Sequence, residues 1–168
     1  MKVTLYMAIS ADGFIATKDG DSDWVSEMDT QNFEKAMSNR GCVIMGRTTF
    51  EQYLGDLYPV KGITNIVLSS ENKKYDSENV FPASSPQEAV DLAKKEGHDE
   101  ALLIGGGKTS RAFLDAGLID EMILVIHPLL LGDGMQIFSG EKEIKNLERI
   151  NSEELDEGLI KVYYKVLK

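Results

Sequence analysis

A single cysteine, Cys42, stands among 168 residues, so no intrachain disulfide can form and no thiolate zinc cluster can be assembled. Two histidines, His98 and His127, are too few for a histidine-based metal centre. Cations are scarce as well: 18 Lys and Arg face 28 Asp and Glu, for a net charge of −10 and an isoelectric point near 4.7. A general nucleic-acid binder or a protein of anionic membranes needs the opposite sign, so a polyanionic ligand here requires a local basic pocket. Long apolar runs are missing too. The longest, residues 122–131, is interrupted by His127 and Pro128 and is well short of the ~20 residues that span a bilayer. Lys2 and the stretch after it faintly outline a signal peptide. However, Val3, Leu5, Met7 and Ile9 alternate with Thr4, Tyr6 and Ala8, and no A-x-A site follows, which is the pattern of a strand. The expectation is a soluble, cytoplasmic protein with no membrane or nucleic-acid partner.

Hydrophobic residues make up 42% of the chain, enough for a real core. No Pro/Gly/Ser-rich linker or internal repeat divides it, so residues 1–168 are expected to form a single domain. Strands are expected at 2–9, 42–45, 65–68, 80–81, 101–104 and 121–127. Helices are expected at about 30–40, 47–54, 86–96 and 108–116. Ser85-Pro86-Gln87-Glu88 is a capping box with proline at the first helical position. After Met135 the chain reads as antiparallel strands, clearest where Ile160, Val162, Tyr164 and Val166 alternate with Lys161, Tyr163 and Lys165. Repeated strand–helix–strand units imply parallel pairing with right-handed crossovers. The fold class is therefore α/β, a three-layer arrangement with a mixed, mainly parallel central sheet and flanking helices.

Such a sheet binds ligands outside the carboxyl ends of its parallel strands. Four small, polar or basic segments follow those ends: Ser10-Ala11-Asp12-Gly13, Gly46-Arg47-Thr48-Thr49, Ser69-Ser70 and Gly105-Gly106-Gly107-Lys108-Thr109-Ser110. Glycines ahead of a helix let a phosphate approach the backbone, where unpaired N–H groups and the helix dipole attract it. The glycine run is neither a Walker A loop, since Leu102 stands at the first glycine position, nor a full Rossmann fingerprint, since Ser110 replaces the third glycine. Arg47 is one of four arginines, and its planar fork suits a phosphate. Trp24 either walls a planar ligand or pins its loop to the core. Asp12 and Asp29 are the carboxylates nearest the cleft; Asp12-Gly13 also reads as a turn and Asp29 as a helix cap. His127, in an apolar run, reads as a core histidine.

Taken in order, Ser10 to Ala16, Trp24, Val43 to Phe50, Ile66 to Ser70 and Ile104 to Ser110 resemble the dihydrofolate reductase-like superfamily. Phe113 to Glu121, followed by Pro128-Leu129-Leu130-Leu131-Gly132, resembles most closely the reductase domain of the riboflavin-biosynthesis deaminase–reductase. The resemblance implies a mixed eight-stranded sheet, NADPH as cofactor and a homodimer. It places Gly46, Arg47, Thr48 and Thr49 at the phosphates, with Arg47 a candidate for the 2′-phosphate. Ser69 and Ser70 fall at the adenosine end, and Gly105, Gly106, Gly107, Lys108 and Thr109 at the pyrophosphate. Ala8 falls against the nicotinamide, and Gly105–Gly106 becomes a candidate cis peptide. Asp29, five residues after Trp24, takes the position of a substrate anchor or proton relay, with Asp12 the second catalytic candidate and Trp24 and Phe14 beside the substrate.

Two departures bear on the substrate. Phe14 stands where riboflavin-pathway reductases usually carry lysine, and Ile104 where they often carry glutamate. The Cys/His zinc motif of the deaminase partner is not found in this chain. The expected function is an NADPH-dependent reductase passing a hydride to a small heterocyclic or carbonyl substrate, similar to 5-amino-6-(5-phosphoribosylamino)uracil reductase, with a substrate more apolar than a phosphoribosyl compound. The alternative is a non-catalytic NADPH-binding or sensor protein on the same fold.

Overall fold

The computed structural model describes residues 1–71, 73–140 and 144–168. The first strand, β1 (Lys2–Ser10), runs through the centre of an eight-stranded sheet. A three-residue strand, β2 (Phe14–Ala16), precedes helix α1 (Glu27–Arg40). Strand β3 (Cys42–Gly46), the short helix α2 (Arg47–Gln52), β4 (Thr64–Leu68) and β5 (Val80–Ala83) build outwards to one edge. Helix α3 (Pro86–Lys95) then returns the chain to β6 (Glu100–Leu103), which inserts between β3 and β1. Helix α4 (Gly107–Asp115) leads to β7 (Glu121–His127) on the far side of β1. β8 (Met135–Gln136) pairs with β2 in a separate two-stranded sheet. β9 (Leu147–Glu154) and β10 (Ile160–Val166) complete the large sheet, in the order β5-β4-β3-β6-β1-β7-β10-β9. Pairing is parallel from β5 to β7 and antiparallel at β7–β10 and β10–β9.

The expected mixed, mainly parallel sheet is observed, with differences of detail. Helix α1 begins earlier than expected because Ser26, not Asp29, is its N-cap: the Ser26 side chain accepts the Asp29 N–H. β2 was not anticipated, while β8 and β9 lie in the stretch expected to form antiparallel strands and pair that way, with bounds the sequence did not define. The antiparallel reading of the chain after Met135 includes residues 141–143, which lie outside the described residues. Proline at position 82 is tolerated because β5 is an edge strand.

Buried side chains alternate along the central strands and make two cores. Val3, Leu5, Cys42, Ile44, Ala101 and Leu103 pack on one face with Ala89 and Val90 of α3 and Phe113 of α4. Val43, Met45, Leu102 and Val125 pack on the other with Met37 of α1 and Phe50 of α2. The Cys42 thiol is pushed up to about 12 by burial, which suits a packing role. Phe113 is wholly buried, so Phe113→Ala is expected to cost roughly 3–5 kcal/mol in a urea unfolding titration.

This arrangement places the site. β3 sends α2 to one face, and its neighbour β6 sends α4 to the other. Adjacent parallel strands whose helices diverge leave a crevice at their carboxyl ends. Gly46-Arg47 and the triple glycine therefore open into the same crevice.

Candidate active site

The two turns at that crevice interlock. Gly46 N–H donates to Gly105 O at 2.8 Å, and Gly106 N–H donates to Thr49 Oγ1 at 3.0 Å. A Cβ at Gly46 would collide with Thr109 Oγ1, and one at Gly107 with the Gln136 carbonyl. Gly105 has φ +92° and would push a Cβ to 2.8 Å from Met7 Cε. These glycines are thus demanded by close approach, and the expected cis peptide at Gly105–Gly106 is present. Gly46→Ala is expected to lower the melting temperature and loosen this rim, because the colliding Thr109 is itself buried and has little room to yield.

Helices α2 and α4 start at Gly46 and Gly106 with no side-chain cap, whereas Ser26 and Ser85 cap α1 and α3. Apart from the Gly106 N–H, which Thr49 accepts, the first N–H groups of these two helices thus have no side-chain cap. Thr48 and Lys108 are exposed beside them. Arg47 Nη1 lies 3.0 Å from Glu71 Oε2 and 4.0 Å from Glu51 Oε2, and Lys73 pairs with Glu51. Ser69 is buried at the end of β4 and accepts the Glu71 N–H at 3.0 Å; Ser70 is exposed. The expected cofactor residues other than Ala8 therefore lie along the ends of three neighbouring strands, β4, β3 and β6.

Ala8, on β1, lines a cavity of about 480 Å³ that continues this rim, together with Thr49 and Gly106. Its floor is polar. Tyr6, from β1, donates its hydroxyl to Asp29 Oδ1 at 2.5 Å. Both residues line the cavity and are nearly inaccessible to solvent. Asp29 Oδ2 lies 3.7 Å from Nε2 of the buried His127. That imidazole meets Ser26 N–H at Nε2 (3.3 Å) and pairs Nδ1 with Val125 O (3.1 Å), so both ring nitrogens have partners. His127 is therefore the satisfied core histidine the sequence suggested, although it also faces Asp29.

Burial pushes the Asp29 carboxyl above the ordinary carboxylate range, opposed first by the Tyr6 hydroxyl and then by the neighbouring His127 and Lys161. Burial, then the bond to Asp29, raises the Tyr6 phenol, leaving it a neutral donor. A carboxyl that binds its proton more tightly when folded loses stability as pH rises from the ordinary value of 3.8 through its raised value. Asp29→Asn is therefore expected to be more stable than the parent at pH 7, with the gap closing as pH falls towards 4. Paired thermal melts across that range check it.

The other expected residues sit elsewhere. Asp12 lies outside the cavity and clamps the loop after β7: it accepts Ser10 Oγ–H at 2.6 Å, Gly132 N–H at 2.7 Å and Leu131 N–H at 3.2 Å. The Ser10 hydroxyl, foremost, holds its carboxyl below the usual range. Phe14 does not line the cavity, though its neighbours Ile15 and Ala16 do. Trp24 lies behind the wall, edge-on to His127 at 5.2 Å between ring centroids. Tyr6 is the site residue sequence reasoning missed. Its one signal was a phenol within an apolar strand, and periodicity predicts burial without naming a partner. Among the described residues, no group of three or more His, Cys, Asp or Glu could hold a metal, and no helix is long and apolar enough to cross a membrane.

A parallel-centred sheet with this strand order and its crevice beside the central strands has the dihydrofolate reductase-like architecture. Residues 1–161 match the RibD C-terminal domain family, and the chain belongs to it. The fold is similar to that of a Shewanella sp. PV-4 protein ascribed to riboflavin biosynthesis, with TM-score 0.84, 27% identity and 100% of both chains covered. In sequence the chain is 27% identical over 177 residues to the uncharacterized protein YyaP of Bacillus subtilis (strain 168), covering 97% of this chain and 94% of YyaP. It is 30% identical over 110 residues to the dihydrofolate reductase of Lactococcus lactis subsp. lactis (strain IL1403), covering 66% of this chain and 63% of that one.

Proposed function

We propose that this protein is an NADPH-dependent reductase that delivers a hydride to a C=N or C=O carbon of a small heterocycle. The observation that carries the reading is the meeting of Gly46 to Thr49 and Gly105 to Thr109 in one crevice, opening onto a cavity floored by a buried carboxyl. The residues fit the cofactor: two helix starts without side-chain caps attract phosphates, and Arg47 supplies a fixed charge.

NADPH, when bound, supplies the hydride. Gly46, Thr48, Thr49 and Gly105 to Thr109 would hold its pyrophosphate, Arg47 its 2′-phosphate, and Ser69 and Ser70 its adenosine end. Ala8, small and on the cavity wall, would leave room for the nicotinamide. Asp29 then orients the substrate and holds a proton near the reacting atoms, and Tyr6 fixes the carboxyl through Oδ1. The apolar walls, including Met7, Phe33 and Ile104, exclude water.

Trp24 provides the test. It is the only tryptophan and packs behind the cavity wall. Titration with NADPH is expected to quench its fluorescence saturably, since nicotinamide absorbance overlaps indole emission. An unchanged signal together with no calorimetric heat overturns the cofactor reading.

A homodimer belongs to the same proposal. β9 is a free sheet edge with all eight residues exposed, and Leu130 and Ile150 are more than half exposed. Such an edge is a pairing surface unless covered. Sedimentation is expected to show a dimer at micromolar concentration, and a monomer there rejects it.

A further inference from the structure

The cavity wall contains no lysine, arginine or histidine among the described residues, but it carries four carboxylates: Asp23, Asp29, Glu34 and Asp56. Asp29 is buried at the floor, while the other three are exposed at the mouth. The cations near the crevice lie elsewhere. Arg47 and Lys73 belong to the cofactor rim, where each pairs with a glutamate. Lys161 lies over the Tyr6 ring, 5.6 Å from its centroid, and does not line the cavity. Between floor and mouth the surface is largely apolar, with Phe33 and Ile104 on it.

From this distribution we infer that the substrate carries no phosphate: it is a neutral or cationic planar heterocycle, with N–H donors directed at Asp29 and Tyr6. The inference rests on the reductase reading and narrows it to a substrate class. A phosphate group entering the cavity would pass three exposed carboxylates at the mouth and lose hydration against apolar walls, with no donor of the opposite sign to replace its water shell. A ring bearing N–H groups meets the reverse situation. Its donors face a buried carboxylate and a phenol oxygen, its faces meet apolar walls, and the acidic mouth raises its local concentration when it is cationic. Phosphate recognition is thereby confined to the rim formed by β3, β4 and β6, and the cavity is left to an uncharged or positive ring.

The test is a charge-matched series bound to NADPH-saturated protein and read by calorimetry. It comprises 5-amino-6-(ribosylamino)uracil, its 5′-phosphate, and 2,4-diaminopyrimidine as a cation. The phosphate-free uracil or the cation is expected to bind at least tenfold more tightly than the phosphate ester. The margin should shrink as salt rises from 20 to 500 mM, since the mouth carboxylates are screened. Neutralising the mouth in Asp23→Asn/Glu34→Gln/Asp56→Asn should narrow the margin severalfold while leaving NADPH affinity unchanged. Equal or tighter binding of the phosphate ester overturns the inference, and so does failure of both phosphate-free probes to bind. The cofactor reading is judged separately by the NADPH titration, which needs none of these probes.

Discussion

Arg47→Ala is expected to weaken NADPH binding by roughly 1.5–3 kcal/mol, the scale of a charge-assisted hydrogen bond, and to weaken NADH binding far less. In affinity this is about tenfold to more than a hundredfold. The guanidinium is already occupied, with Glu71 at 3.0 Å, so a 2′-phosphate must displace a carboxylate to reach it. That exchange favours the phosphate. The Arg47–Glu71 pair is solvent-exposed, and exposed pairs are worth about 0–1 kcal/mol. A phosphate brings close to two charges and several acceptors. Parallel titrations of parent and variant with NADPH and NADH decide the matter. Equal losses for both dinucleotides would move the 2′-phosphate away from Arg47, while a loss confined to NADPH fixes it there.

Asp29→Asn is expected to leave NADPH affinity within about twofold but to slow NADPH oxidation by roughly 10²–10⁴-fold, the range for loss of a positioned acid or base. Asparagine keeps the shape and can still accept the Tyr6 hydroxyl, but it can neither carry nor return a proton. The measurement uses whichever member of the heterocycle series supports oxidation, or dihydrofolate. It pairs with the stability melts, since the same substitution should make the protein more stable at pH 7. A gain in stability with loss of turnover is what a buried carboxyl kept for function produces. If turnover is unaffected, Asp29 is a structural acid and the proton comes from elsewhere.

Much of the fold was legible because the parallel strands are short apolar runs bounded by helix caps and glycines. Ser85-Pro86, Gly41 and Gly117 mark boundaries that local chemistry alone dictates. The bounds of β9 were hidden for a physical reason: all eight of its residues are exposed, so no alternation marks where it starts or stops. β2 and β8 hold three and two residues, too few for any period. The start of α1 was available in Ser26, three residues before an acid, but Asp29 is equally a capping residue type.

The site divides the same way. The rim was readable because glycine, hydroxyl and guanidinium residues directly follow strands, and the sheet order then brings those ends together. Asp12 and Asp29 have the same side-chain chemistry, and what separates them is tertiary. One is tied by backbone N–H groups of a loop more than a hundred residues away, the other is buried in the first turn of α1 against a phenol from the central strand. The Tyr6–Asp29 contact, joining residues 23 positions apart, has no sequence signature. The acidic cavity mouth was equally invisible, since Asp23, Glu34 and Asp56 come from three separate segments.

The central claim is that one crevice, formed where β3 and β6 end, grips a phosphorylated dinucleotide. Amide ¹H–¹⁵N shift mapping during an NADPH titration tests it most directly. The largest changes are expected to cluster at residues 46–49 and 105–109, with smaller ones at Ala8 and Ser69. Saturable binding with those amides unmoved, and the shifts gathered on another face of the sheet, would contradict it.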